Sequence, residues 1–267
     1  MPPASRRARA RNYDPDRTRA ALTAQIGHVL DAARVLSAAQ LAAPSGLPNW
    51  DVHHLLVHIA RQIEAVPQVI AAEAAAKADL DLPTWARSTA AIADLLDADT
   101  REAAVATERA AARIAEAAEQ LAHVMDRAVE PGRNVRVTLG AMRSTDFLVT
   151  RLVELVVHTD DLARATGTEI PLDRQALAAV TRLLADALAA RAPGNSVEVR
   201  IPPYAAVQCV PGPRHTRGTP PNVVETDPVT WIRLATGRTS WQAALDAAVV
   251  TASGDRADLA AYLPVLG

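Results

Sequence analysis

The sequence predicts a four-helix bundle followed by a small α+β domain. Three observations carry this. Apolar residues recur at helical spacing through most of residues 15–167, and Pro- or Gly-containing breaks separate those stretches. After Gly167 the pattern changes to short β-like runs between shorter helices. The chain is 49% hydrophobic but only 3% aromatic, so much of the core must come from alanine, which suits closely packed helices.

Residues 1–14 read as a solvated tail, with Arg6, Arg7, Arg9 and Arg11 in a polar context. Asp14-Pro15 is a helix start: a side-chain cap followed by proline in the first turn. Leu22, Ile26, Val29, Leu30 and Ala33 then mark one apolar face. The break at residues 44–48 contains two prolines and a glycine. A second helix is expected from about Asp51, with Val52, Leu55, Leu56, Ile59, Ile63 and Val66 inside and a kink expected at Pro67. A short helix is expected near Trp85 to Leu96, and a long alanine- and charge-rich one from about Thr100 to Val129. Glu130-Pro131-Gly132 ends it, and a fourth bundle helix runs from about Ser144 to Ala165. The second unit, residues 173–267, opens with a helix to about Arg191. β-like runs follow at 197–201, 205–210 and 222–225, then helices at 228–235 and 241–247 and a strand at 249–252.

Several function classes are disfavoured. A net charge of −2 argues against nucleic-acid binding. No apolar run is long enough to span a membrane, and the N-terminus lacks the apolar core of a secretory signal. The single cysteine, Cys209, allows no internal disulfide; together these features predict a cytoplasmic protein. Cys209 itself reads as a packed small hydrophobe, and Trp231 and Trp241 as core.

The most informative segment is the fourth helix. Phe147, Arg151, Glu154, His158 and Asp161 share one stripe, while Leu152, Val153, Leu155, Val156 and Val157 cover the rest. A helix apolar almost all round is buried, and buried charge must be paired or bind a metal. Glu154 and His158, four residues apart, can aim at one point. A divalent metal needs a third ligand, which the second helix offers in His53, His54 and His58; His58 lies deepest in that helix. Spacing alone leaves two readings open, a polar core pair and a metal site.

Leu47-Pro48-Asn49-Trp50-Asp51-Val52, with Leu56 and His58, resembles the entry to the second helix in the mycothiol-dependent maleylpyruvate isomerase family. Arg151, Glu154, His158, Asp161 and Leu162 resemble its second signature. The resemblance covers about residues 15–167 and implies a DinB-like metal-binding bundle. It implies a metal site at His58, Glu154 and His158, with zinc the usual ion, and leaves Arg151 and Asp161 as supporting residues and His53 and His54 outside the ligand set. It also implies mycothiol as a small thiol cofactor and an electrophilic small-molecule substrate, for isomerisation or S-transfer. The chemistry is coherent, because a bound divalent ion holds a thiol as its reactive thiolate.

Residues 173–267 resemble sterol carrier protein-like domains, through Val224 to Trp231, Leu234 to Gly237, Ser240-Trp241, Ala244 and Ala252 to Asp255. That resemblance implies an α+β fold and, as an alternative function, a non-enzymatic carrier of a lipid or other apolar ligand with a structural metal. Between two strands, the proline-stiffened loop 211–221 holds Arg214, His215 and Arg217, an expected clamp for a substrate or cofactor carboxylate.

Overall fold

The computed structural model describes residues 11–212 and 221–266. Helix α1 (Pro15–Val35) starts where Asp14 accepts a hydrogen bond from the Arg17 amide at 2.9 Å. A one-turn helix α2 (Ala38–Leu41) is closed by a reciprocal Ser37–Gln40 capping box. Helix α3 (Val52–Ala71) is capped by Asp51, which accepts from the His54 amide at 2.9 Å. The helix runs as one element through Pro67.

The middle of the bundle corrects two expectations. No single helix spans 100–129. Instead α4 (Leu82–Ser88) leads through a 3-10 turn into α5 (Ala93–Ala106), and α6 (Ala110–Ala128) follows after a break. Residues 107–109 contain no proline or glycine; the break is made by side chains. Thr107 Oγ1 donates back to the Ala103 carbonyl at 2.7 Å and accepts from Arg113 at 2.8 Å, while Arg113 also forks onto Glu64 of α3. Tertiary pairing thus overrides helix propensity. The second correction is a hairpin of β1 (Asn134–Val137) and β2 (Gly140–Arg143), which the sequence reading lacked. Gly140 has φ 146° and its missing Cβ would lie 2.9 Å from an Asp79 carboxylate oxygen, so only glycine fits there. That carboxylate accepts from the Ala141 amide at 2.7 Å, tying the hairpin to the segment before α4.

Helix α7 (Ser144–Thr166) closes at Gly167, in the left-handed conformation with φ 66°. Helices α1, α3, α6 and α7 form the bundle, α3 and α1 each packing against both α6 and α7. Helix α5 lies against α3 from outside the ring.

Helix α8 (Arg174–Arg191), which opens the second unit, packs against α1, α4 and α7 on one side and against the rest of that unit on the other. Beyond it come β3 (Val197–Ile201), β4 (Ala205–Cys209), β5 (Val223–Thr226), α9 (Pro228–Ala235), α10 (Trp241–Asp246) and β6 (Val250–Ser253). The sheet order is β4-β3-β5-β6, antiparallel except for the β3–β5 pair. The fold class is therefore the expected one, a helical bundle with an α+β unit. Trp231 is fully buried, and its indole donates to the Thr181 carbonyl of α8 at 3.3 Å. Cys209 is buried as well, and burial pushes its thiol up to about 11, which keeps it protonated and inert. Among the described residues, no helix is long and apolar enough to cross a membrane.

Candidate metal centre

Three of the side chains singled out above meet inside the bundle. His58 comes from the second turn of α3, and Glu154 and His158 from successive turns of α7. One donor atom from each lies within 4.8 Å of the other two. Glu154 Oε2 is 3.3 Å from His158 Nε2 and 3.5 Å from His58 Nε2. The imidazoles cross edge to face with centroids 4.9 Å apart. Both histidines are buried, and the Glu154 side chain, 20% exposed, gives the cluster its side toward solvent.

Each imidazole is held from behind. His58 Nδ1 is 3.1 Å from Thr100 Oγ1 on α5. Its Nε2 is 3.0 Å from the Gln62 amide nitrogen, one turn further along α3. Arg151 sets that amide's orientation: guanidinium groups only donate, and Arg151 donates to Gln62 Oε1. The Gln62 NH2 therefore faces His58, so Nε2 must accept and Nδ1 carries the proton to Thr100. His158 Nδ1 donates to Asp161 Oδ2 at 3.0 Å, one turn along α7, which directs its Nε2 at Glu154. Arg151 further stacks its guanidinium on the Phe147 ring at 4.8 Å.

The electrostatics follow from this packing. Burial alone would raise the Glu154 pKa, but the hydrogen bond from His158 and the nearby Arg151 charge pull it well below the carboxylate range. Burial lowers the His58 pKa more than Glu154 restores it, so this imidazole is neutral. Burial also works against His158, yet its bonds to Asp161 and Glu154 outweigh that and raise its pKa. Asp161 is driven far down in spite of burial, by His158 and Arg238.

The cluster fits a divalent ion by its chemistry and spacing. Two imidazoles and one carboxylate form a common three-ligand set, which keeps a fourth position open. Bonds of about 2.0–2.2 Å in tetrahedral geometry separate ligand atoms by roughly 3.3–3.6 Å. The two contacts at Glu154 fall in that range. Oriented outer partners on both histidines match the way metal-binding imidazoles are held.

The other sequence candidates separate cleanly. His54 pairs with its own cap, Asp51, at 2.7 Å, and His53 Nε2 lies 3.2 Å from the Ala104 carbonyl; neither is in the cluster. Arg214, His215 and Arg217 lie outside the described residues, as does most of the basic tail. Sequence reasoning missed Gln62, Thr100 and Trp50, whose indole ring sits 5.0 Å from His58. The i, i+4 spacing of His58 and Gln62 was the available signal for Gln62.

Known proteins place the chain as follows. A model of the mycothiol maleylpyruvate isomerase N-terminal domain matches residues 22–163. A model described as a bacterial SCP orthologue matches residues 173–265. Among solved structures, the crystal structure of a mycothiol-dependent maleylpyruvate isomerase is similar with a TM-score of 0.58 and 17% identity, over 90% of this chain and 93% of that one. A histidine-to-alanine mutant of the mycothiol-dependent maleylpyruvate isomerase is similar with a TM-score of 0.60 and 15% identity, over the same shares. At such identities the likeness is one of fold. No curated protein matches the chain.

Proposed function

Because this chain belongs to the mycothiol maleylpyruvate isomerase N-terminal domain family, matched over residues 22–163, we propose that it is a metal-dependent enzyme acting through a small thiol such as mycothiol. The observation that carries this is the convergence of His58, Glu154 and His158 on one point, with donor contacts of 3.3 and 3.5 Å at Glu154. In this reading these three residues hold a divalent ion, with zinc favoured by the donor set. When bound, the ion supplies the electrostatic pull that keeps a thiol as thiolate at neutral pH.

The chain's own groups divide the remaining work. Asp161 and Thr100 hold the two imidazoles by their Nδ1 atoms, and Arg151 holds Gln62. Apolar neighbours on α3 and α7, among them Leu55, Ile59, Leu155 and Val157, exclude bulk water behind the donors. A thiolate added to a conjugated double bond allows rotation about the resulting single bond. Its elimination then restores the double bond and returns the thiol, so isomerisation consumes no reagent. S-transfer differs in that the carbanion formed by the addition takes up a proton and the sulfur stays on the electrophile as a thioether. The bundle, residues 15–167, carries this chemistry, and residues 173–267 pack against it through Arg233 and Arg238 onto α7; cytoplasmic placement accords with a thiol cofactor kept reduced.

The match over residues 173–265 motivates a second reading, an apolar-ligand carrier. It has weaker support, because Trp231, Leu188, Val199 and Ile201 are fully buried in that unit.

Elemental analysis and native mass spectrometry of protein expressed with added metal test the proposal together. About one divalent ion per chain and metal-dependent thiol binding are expected. A chain without metal that carries a co-purified lipid defeats it in favour of the carrier.

A further inference from the structure

Among the described residues, Arg238 links the second unit to the carboxylate that supports the donor cluster. Helix α9 ends at Ala235, and Gly237, at φ 72°, turns the chain back so that the Arg238 amide donates to the Arg233 carbonyl at 2.7 Å. The Arg238 guanidinium then faces α7. Its Nη1 is anchored on the Thr236 carbonyl at 2.9 Å. Its other two donors fork onto Asp161, Nη2 to Oδ2 at 3.0 Å and Nε to Oδ1 at 3.3 Å. Asp161 Oδ2 is the same oxygen that accepts from His158 Nδ1. Arg164 completes the surroundings of this carboxylate, which is 1% exposed.

One residue away lies a natural control. Arg233 makes a similar fork onto Asp160, with contacts of 2.9 and 2.6 Å, which Arg164 also joins. Asp160 pairs with Arg233 and Arg164 rather than with His158 or Glu154, so this fork chiefly ties α9 to α7. The two forks have similar geometry and differ in what stands behind the carboxylate.

We propose that Arg238 is a positioning residue through which the C-terminal unit sets the donor cluster, by fixing Asp161 and hence the His158 ring. Without Arg238, Asp161 Oδ2 keeps only His158 and the carboxylate is held from Oδ1 by Arg164 alone, so its angle, and that of the imidazole it holds, is less tightly fixed. The inference rests on the metal-binding reading above and adds a regulator of that site from another part of the chain.

The test compares Arg238→Ala, Arg238→Gln and Arg233→Ala with the wild type. Zn²⁺ affinity is read by competition with a chelator, and the absorption spectrum of bound Co²⁺ reports the ligand geometry. The Arg238 side chain is 22% exposed, so truncation opens toward water rather than leaving a sealed cavity, and Arg238→Gln keeps a polar group should the alanine variant fail to fold. Both Arg238 variants are expected to lose about 10–100-fold in Zn²⁺ affinity, as outer partners of metal-binding histidines do, with an altered Co²⁺ spectrum. Arg233→Ala should lower the melting temperature by a similar amount but keep the wild-type affinity and spectrum. Arg238 variants with wild-type affinity, or losses shared equally by Arg233→Ala, overturn the proposal. A wild-type chain that binds neither ion instead defeats the metal reading, and this inference falls with it.

Discussion

Buried polar groups mean different things in the two halves of this molecule. In the C-terminal unit they serve the backbone. Asn222 donates to the Ser196 carbonyl at 2.8 Å and accepts from the Arg256 amide at 3.0 Å; Thr226 and Thr236 donate to carbonyls at 2.8 and 2.7 Å. In the bundle His58, Gln62, Thr100, His158 and Asp161 are bonded to one another's side chains, along one line across α3, α5 and α7. A buried polar atom answered by a main-chain group is part of the architecture. A run of side chains answering each other, ending in ligand atoms that converge on one point, is a candidate for chemistry.

The sharpest way to break this contrast is at the donors. Glu154→Ala should abolish stoichiometric metal binding, a loss exceeding the roughly 10–100-fold of outer-partner substitutions, while leaving the protein folded. Circular dichroism with metal analysis of the same sample checks both halves; retained metal would return Glu154 to the status of a core ion-pair member.

The opposite result belongs to the other unit. Asn222→Ala strands the Ser196 carbonyl and the Arg256 amide, and should cost about 1–3 kcal/mol in urea unfolding. Metal affinity per folded molecule should not change, and a parallel loss would show that the two networks are one.

Titration sharpens the contrast further. In the metal-free protein His158 has a raised pKa, because Asp161 and Glu154 outweigh the burial that opposes its charge. Its protonation therefore stabilises the native state below the unfolded value of about 6.5, and that contribution is lost as pH rises through the higher folded value. Metal binding has the opposite sign, since an ion must displace that proton. The stabilisation gained on adding Zn²⁺, read from thermal or urea unfolding, should thus grow from about pH 6 to about pH 8, by up to roughly 1.4 kcal/mol per pH unit for the one proton. Stabilisation independent of pH would place the ion elsewhere.

Legibility in the sequence followed the range of the interactions. Caps and stops are local, and Asp14, Asp51 and Gly167 act where they were expected. The stripe on α7 is local as well: Phe147, Arg151, Glu154, His158 and Asp161 all take part in the site or its supports. Spacing could not choose between His54 and His58, because that depends on which residue caps the helix, and Asp51 draws His54 away. The motif resemblance favoured His58. Thr100 and Arg238 were not legible, since each acts through a partner 42 or 77 positions away, whereas Gln62 left a signal in its i, i+4 spacing from His58 but is oriented by Arg151, 89 positions away. The break at 107–109 was hidden for the same reason, its sequence being that of a good helix.

Helix α7 presents its donors at 154 and 158 and its docking carboxylates at 160 and 161 on a single rigid rod. Each residue of a helix advances about 100° and 1.5 Å, so these two functions are locked in angular phase. An insertion of one residue between 158 and 160 would swing the docking face a quarter-turn away while leaving every side chain of both sets in place. Another C-terminal unit could be grafted onto this bundle if it supplied an arginine at the right azimuth. The number of residues between His158 and Asp160 therefore couples the donor set to the docking of the second unit in this chain.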